Sequence, residues 1–542
     1  MDDIHFGRRL KTVLACAFLV AAIGAAPAAN GQESSDVVIR GGAIFDGTST
    51  APVVGDVAIA GDKIVYVGPT AANPYRAKRI IDARGKIVAP GFIDPHTHAE
   101  EFLTGTDTAK RLNLPWLMQG VTTVFAGVDG YGQPDGRNEV GAFLDAVDRN
   151  PVGTNVAAYV GFGAVRQSVL GESDQAPAPA QLERMKAMVA NGMCEGALGL
   201  SAGLFYAPQS FANREEVIAL AREAGRRGGV YDTHQRDESS YGIGLMGSIA
   251  EAIEIGRAAG IPVHFAHLKA LGVDVHGMAP QIVAAIDAAR KAGLDVTADQ
   301  YPWEASGSAL EPALLPRWAL ADGREAMLAR FDDAAALARI KTEMRENLRR
   351  RGGAQSVLLT EPGQPWTARR LAEMAEAWQT DAIDAALRII RQSANGSPVV
   401  SFNMVEADIE LLMKQPWVMT GSDGSDGHPR MYATYPQKYA KYVLDRKTID
   451  LATFINGSTS RAADSFGLDR RGRLRAGHFA DILVFDPDSY RPRADYVHPA
   501  VLSEGVDTLL VNGAVTVSDG KPTGIAAGRG LKQVPPAGTC AS

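Results

Sequence analysis

Cysteine is scarce, with three residues in a chain of 542. That excludes a small disulfide-stapled scaffold, and the 46% hydrophobic content is ample for a large core instead. Basic tracts are missing as well. The formal net charge is −7, from 55 Lys and Arg against 62 Asp and Glu, which excludes the electrostatic footprint of a nucleic-acid binder. No long membrane-spanning run is present either. The one conspicuous apolar stretch, about a dozen residues, follows Arg8, Arg9 and Lys11 and ends in small residues, the layout of a cleaved secretory signal. Residues 1–31 are therefore expected to be a signal peptide, with export to the periplasm or medium. Only Cys194 and Cys540 remain after it. A disulfide between them is the lesser reading, and Cys194 reads as a buried thiol.

The organisation of the rest follows from pattern. "DVVIRGGAIFDG" and "DVAIAGDKIVYVG" near the start, and "GHFADILVFDP" and "VDTLLVNGAVTVSDG" near the end, alternate as short strands between Gly-rich turns. They predict one small β-sandwich built from both termini, residues 32–88 and the later part of 446–530, with a tail at 531–542. Between them, strand-like runs end at His98, Asp129, Gly163, Ser201, His234, His267 and Asp299, spaced by 31, 34, 38, 33, 33 and 32 residues. That interval is one βα unit, and the series predicts a (β/α)8 TIM barrel over 89–445. The last strand, "PWVMTGSD", ends at Asp423, 124 residues beyond Asp299. The excess marks an insertion at about 305–398, which reads as a small helical subdomain beside the active-site mouth.

His96, His98, Asp129, His234, His267 and Asp423 all fall at the C-terminal ends of these runs. In a parallel barrel those ends converge on the face where active sites lie. Any one of these histidines would pass for a hydrogen-bonded core residue. Four of them with two aspartates make a donor set of imidazole and carboxylate suited to zinc, as one or two ions.

With these residues placed, the chain resembles the amidohydrolase superfamily and, within it, the N-acyl-D-amino-acid deacylase (D-aminoacylase) family. The resemblance runs from about residue 36 to 520 and rests on "HTH" (96–98), "SAGLFYAP" (201–208), "THQRDE" (233–238), "HLK" (267–269), "DQYPW" (299–303), "GSDG" followed by "HPR" (421–430), and a closing "LRAGHFADILVFDP". It implies that His96, His98, His234 and His267 bind metal and that Asp423 ligates and moves the proton of the attacking water. In that family a cysteine ends the second strand and also binds metal; here Asp129 takes its place, a harder ligand that alters metal preference. Lys269, Tyr301 and Arg430 are implied as binders of the substrate carboxylate, with Ser306 and Ser308 as alternatives for one further pocket serine. His276 and His428 read as supporting or surface groups. The implied reaction is hydrolysis of the amide of an N-acyl amino acid, in the D configuration, by metal-activated water and without a serine nucleophile. The alternative is a dipeptidase or cyclic-amide hydrolase on the same metal centre. The partner is a small molecule, no membrane span remains in the mature chain, and an oligomer is compatible with the sequence.

Overall fold

The computed structural model describes residues 33–48, 50–132, 139–394 and 396–540, so the signal-peptide reading of residues 1–31 lies outside the described residues. Eight strands run parallel: β1 (Phe92–Asp94), β2 (Val121–Ala126), β3 (Asn155–Ala158, continued at Val160–Gly161), β4 (Gly199–Gly203), β5 (Val230–His234), β6 (Val263–Phe265), β7 (Val296–Gln300) and β8 (Val418–Thr420). Each pairs with the next in sequence order. The ring closes between β8 and β1, where Thr97 bridges Gly424 and the Asp423 N–H donates to the His96 carbonyl at 2.9 Å. A closed barrel leaves no edge, and all eight C-terminal ends face one way.

The returning helices follow their sequence signals. In Arg214–Gly225, Val217, Leu220, Ala221 and Ala224 recur at helical spacing and are buried, and the Asn213 side chain caps the start by accepting from Glu216 N–H at 2.9 Å. The same burial pattern places Pro179–Cys194, Gly244–Ala259 and Ala279–Lys291 in one continuous core with the strands.

The strands from both ends of the described chain join in one hydrogen-bonded network of nine. Its long first strand, Glu33–Ile44, shifts register between Ile39 and Gly42; Val53–Ala60 pairs with it on both sides of that break, while on its other edge Tyr75–Asp82 gives way to Ile87–Pro90. Gly41, at φ 74, and Gly42, where a Cβ would lie 2.4 Å from a Val88 methyl, permit the bend. Ile39, Val57 and Ile59 from the N-terminal part then share a core with Ile482, Val484 and Leu510 from the C-terminal part.

The segment between β7 and β8 differs from the sequence expectation. It carries helices, Gly323–Asp332, Ala334–Arg350 and Ala382–Gln392 among them, around a core of its own, but also a three-stranded antiparallel sheet in the order Ala305–Ala309, Pro398–Phe402, Val357–Leu359. "ASGSA" and the three-residue "VLL" are too short and too small in side chain to show alternation, so the sheet left no signal.

The reading of Cys194 as a buried thiol is overturned: Cys194, at the end of its helix, is disulfide-bonded to Cys540. The two are 346 residues apart, and sequence alone does not reveal that the tail returns to this helix. The tail is led back by Leu531 N–H donating to Val156 C=O at 2.7 Å and Gln533 N–H to Gly196 C=O at 3.0 Å.

Candidate metal centre and substrate pocket

His96 and His98 leave β1 in an extended stretch, so their side chains share a face while Thr97 turns away and donates to the Phe125 carbonyl at 2.7 Å. Asp94, buried beneath them, accepts from Ser422 N–H at 2.9 Å and from the Trp116 indole at 3.0 Å, tying the end of β1 to that of β8. Burial lifts the Asp94 carboxyl to about 7. Within β7, Asp299 accepts from His267 N–H at 3.1 Å and contacts His264 Nε2 at 2.9 Å, fixing the turn that carries His267. Asp129, His267 and Asp423 all have positive φ, at 53°, 35° and 48°. Such backbone costs of order 1–3 kcal/mol per residue and is held here by the surrounding bonds. For Asp129 these include Gln209 Nε2 donating to its carbonyl at 2.8 Å and Gly130 N–H donating to Ser201 Oγ at 3.0 Å. Ser201 has the Gly-x-Ser-x-Gly spacing of a nucleophile elbow, yet it lies inside β4, buried, and its hydroxyl is spent on this loop.

The six sequence-predicted ligands come together. Asp129 sits among the imidazoles, with Oδ1 3.4 Å from His96 Nε2, 3.7 Å from His234 Nδ1 and 3.6 Å from His267 Nε2, and Oδ2 3.7 Å from His98 Nε2. Asp423 Oδ1 lies 3.3 Å from His98 Nε2 and 3.8 Å from His96 Nε2. Both ring nitrogens of His96, both of His234 and Asp129 Oδ1 are buried without a hydrogen-bond partner. Orphaned buried polar atoms are costly unless something else satisfies them. Ligands about 2.0–2.1 Å from a tetrahedral zinc lie about 3.3 Å from one another, close to the spacing seen here. Burial pushes His96 down to about 4 and also lowers His234, so both are neutral imidazoles with lone pairs to offer. The residues therefore fit a divalent metal, in two overlapping groups, His96–Asp129–His267 and His96–His98–Asp423.

A third group, His234–Glu238–His267, brings in a residue not singled out from sequence. Glu238 lies 3.8 Å from His234 Nε2 and 3.3 Å from His267 Nδ1, and accepts from Lys269 Nζ at 2.7 Å. For His267 Nε2 to present a lone pair toward Asp129, Nδ1 must carry the proton, and Glu238 is its acceptor. Glu238 stands four residues after His234 in "THQRDE", and that spacing was its only signal. Tyr206 was likewise visible only inside "SAGLFYAP"; its ring packs 4.7 Å from that of His234.

Of the three predicted carboxylate binders, Lys269 and Arg430 line one cavity of about 530 Å³, and Tyr301 packs against Arg430 behind it. Lys269 is spent locally: its Nζ donates to Glu238 Oε1 and the His267 carbonyl at 2.7 and 2.9 Å and lies 2.7 Å from His267 Nδ1. Arg430 Nη1 is 2.7 Å from Asp423 Oδ2 and Nη2 donates to Ser425 Oγ at 3.0 Å, while Nε has no partner. The Tyr301 hydroxyl, buried 4.9 Å from ring centroid to the Arg430 guanidinium, has none either. The serines separate: Ser306 donates to Asn403 Oδ1 at 3.1 Å, and Ser308 Oγ is unpartnered. His428 is buried and shapes Arg430, accepting its N–H at Nδ1 (3.0 Å) and contacting the Ala305 carbonyl through Nε2 (3.0 Å). His276 contacts the Asn403 carbonyl at 3.1 Å.

A parallel (β/α)8 barrel with imidazoles and carboxylates converging at its C-terminal face defines a metal-dependent hydrolase of the TIM-barrel class. The chain belongs to the amidohydrolase family, whose model matches residues 79–517. It is 30% identical over 519 residues to a D-aminoacylase of Alcaligenes xylosoxydans xylosoxydans, covering 92% of this chain and 97% of that one. An N-acyl-D-glutamate deacylase of the same organism is 29% identical, with 91% and 96% covered. Among solved structures, the N-acyl-D-glutamate deacylase of Bordetella bronchiseptica, complexed with zinc and a phosphonate mimic of the tetrahedral intermediate, is 28% identical with a TM-score of 0.77 over 92% of this chain and all of that one. A D-aminoacylase with a binuclear metal centre is 29% identical, with the same score and coverage.

Proposed function

We propose that the chain deacylates N-acyl-D-amino acids at a zinc centre held by His96, His98, Asp129, His234, His267 and Asp423. The observation that carries this reading is the position of Asp423, with one oxygen toward the His96–His98 pair and the other on Arg430. The ion supplies an activated water and a Lewis acid for the amide carbonyl. Asp423 stays ionised: burial opposes its charge, but Arg430 and His267 outweigh that and hold its carboxyl far below the ordinary range. It thus takes the proton of the attacking water at Oδ1 and returns it to the leaving nitrogen. Arg430 Nε and the Tyr301 hydroxyl, both buried and unpartnered, receive the substrate α-carboxylate. Lys269 orients Glu238 and His267 rather than offering a free donor.

Asp129 presents one oxygen to three histidines and the other to His98, and with them would hold one or two divalent ions. The D preference rests on the relatives. Export is supported by the layout of residues 1–31 and by the Cys194–Cys540 bond, since disulfides persist in oxidising compartments. No helix among the described residues is long and apolar enough to cross a membrane. A screen of N-acetyl-D- and N-acetyl-L-amino acids tests the function. Turnover confined to D substrates and abolished by chelation is expected; turnover of neither series, or turnover unaffected by chelation, contradicts it.

A further inference from the structure

The strand ends ring the metal centre in sequence order, so the loops after β7 and β8, which carry Tyr301 and Arg430, stand across the barrel from those after β3 and β4. A linear amide with its α-carboxylate at Arg430 and its carbonyl among the metal ligands extends its acyl end toward that opposite side. From the loops after β2, β3 and β4, the cavity is lined by Asp129, Tyr131, Glu172, Phe205, Tyr206 and Ala207. Asp129 belongs to the ligand cluster, and the Glu172 carboxylate accepts from Gln167 Nε2. What remains is three aromatic rings and a methyl group. Among the described residues, no Lys or Arg of these loops lines the cavity, so this end offers nothing to an anionic acyl group.

The three rings make one wall that starts at the ligands themselves. Tyr206 lies 4.7 Å from His234, 5.3 Å from Phe205 at 89° and 6.1 Å from Tyr131 at 37°, and Tyr131 in turn lies 6.4 Å from His98, all between ring centroids. Phe205 is buried, but Tyr131 is 53% exposed. It stands between Gly130 and Gly132, at φ 74° and 73°, in a turn that carries its ring out of the core and over the mouth. A flat apolar group laid against such a wall removes apolar area from water and gains offset or edge-to-face ring contact besides. An acetyl group has a single methyl beyond its carbonyl. With that carbonyl among the metal ligands, covering the Tyr131 ring takes a longer acyl group.

We propose that Tyr131, with Tyr206 and Phe205, forms an acyl-group subsite that selects neutral aromatic acyl groups, so that N-arylacetyl-D-amino acids are better substrates than their N-acetyl counterparts and Tyr131 sets the preference. This rests on the deacylase reading above and on its placement of the α-carboxylate. The test compares kcat/KM for the N-acetyl, N-hexanoyl and N-phenylacetyl forms of whichever D-amino acid is turned over fastest in the screen above. It is run on the wild type, Tyr131→Ala, Tyr131→Leu and Tyr131→Phe. The wild type is expected to favour phenylacetyl over acetyl by about tenfold or more, from about fourfold per buried methylene-sized group and about two- to tenfold for ring contact. Tyr131→Ala should lower that ratio by about tenfold and Tyr131→Leu by a smaller factor, while Tyr131→Phe, which keeps the ring, holds it within about twofold. Each ratio is taken within one protein, so a loss of metal or of folded protein cancels; if Tyr131→Ala does not fold, Tyr131→Leu carries the comparison. A wild-type ratio near one, or a ratio unchanged in Tyr131→Ala and Tyr131→Leu, overturns the subsite while leaving the deacylase reading intact. So does a hexanoyl form preferred over the phenylacetyl, since the wall would then serve any apolar chain. Turnover of no N-acyl-D-amino acid overturns the deacylase reading itself.

Discussion

Replacing Arg430 by Met separates two roles that the structure gives to one side chain. Its Nη1 is 2.7 Å from Asp423 Oδ2, both side chains nearly buried, and its Nε is buried without a hydrogen-bond partner. Losing a charge-assisted hydrogen bond to the substrate α-carboxylate costs about 1.5–3 kcal/mol, or roughly 10- to 150-fold in kcat/KM. Because that bond is present in ground and transition states alike, most of the loss belongs in KM. The Asp423 carboxylate does not become an isolated buried charge, since His98 lies 3.3 Å from its other oxygen, so the fold should tolerate the change better than the about 3–5 kcal/mol typical of a broken buried pair. Its carboxyl rises once Arg430 is gone, which moves the acid limb of the pH–rate profile upward. The assay is steady-state hydrolysis of an N-acetyl-D-amino acid beside its carboxamide analogue, which lacks the α-carboxylate. Wild type and variant should differ strongly on the acid and little on the amide. Equal loss on both would show that Arg430 acts only through Asp423. Asp423→Asn provides the contrast, lowering kcat by about two orders of magnitude or more on both substrates.

Two further outcomes follow from the same geometry. Burial and Lys269 lower the His267 pKa, but Asp423, Asp129 and Glu238 outweigh them and hold it at about 10 against 6.5 when unfolded, so metal-free protein carries this stabilisation fully below pH 6.5 and loses it as pH rises toward 10. Thermal melts of chelated protein across that window check the trend; calorimetry in buffers of different ionisation enthalpy should show proton release on metal binding, and none would contradict the assignment. Cys540→Ser opens a loop of 346 residues, for which chain entropy sets an upper bound of about 5–6 kcal/mol. With the tail's backbone bonds retained, about 2–4 kcal/mol and a melting shift of about 2–4 °C are expected in a chain of this size, and an unchanged melt would refute that contribution.

The barrel was legible because each βα unit ends in a residue that does not belong in a strand interior: His98, Asp129, His234 and His267 fall at regular intervals, and the strands stop within a few residues of them. The convergence of His96, His98, Asp129, His234, His267 and Asp423 on one face was legible for the same reason. What was hidden depends on contacts between distant segments. Cys540 finds Cys194 only because the tail runs back along Val156 and Gly196. The sheet in the insertion pairs Ser306 with Ser401, nearly a hundred residues on, through strands with no periodic pattern of their own. Lys269 follows a ligand by two residues, as a substrate binder would, yet Glu238 claims it, and no sequence spacing shows a carboxylate on a neighbouring strand's loop. Asp94 and Asp299 were visible as letters, but their work of fixing the turns that carry His96 and His267 is expressed only in three dimensions.

On the proposed function, Asp129, among four histidines, is a ligand of a metal centre on which activity depends. Elemental analysis of the purified wild-type protein and of Asp129→Ala and Asp129→Cys, with hydrolysis rates from the same samples, tests it most directly. One to two equivalents of zinc or a similar divalent ion are expected in the wild type, with loss of metal and rate together in Asp129→Ala and partial recovery of metal in Asp129→Cys, where a thiolate faces the imidazoles. Active wild-type protein without bound metal, or Asp129→Ala with full metal and full rate, would contradict it.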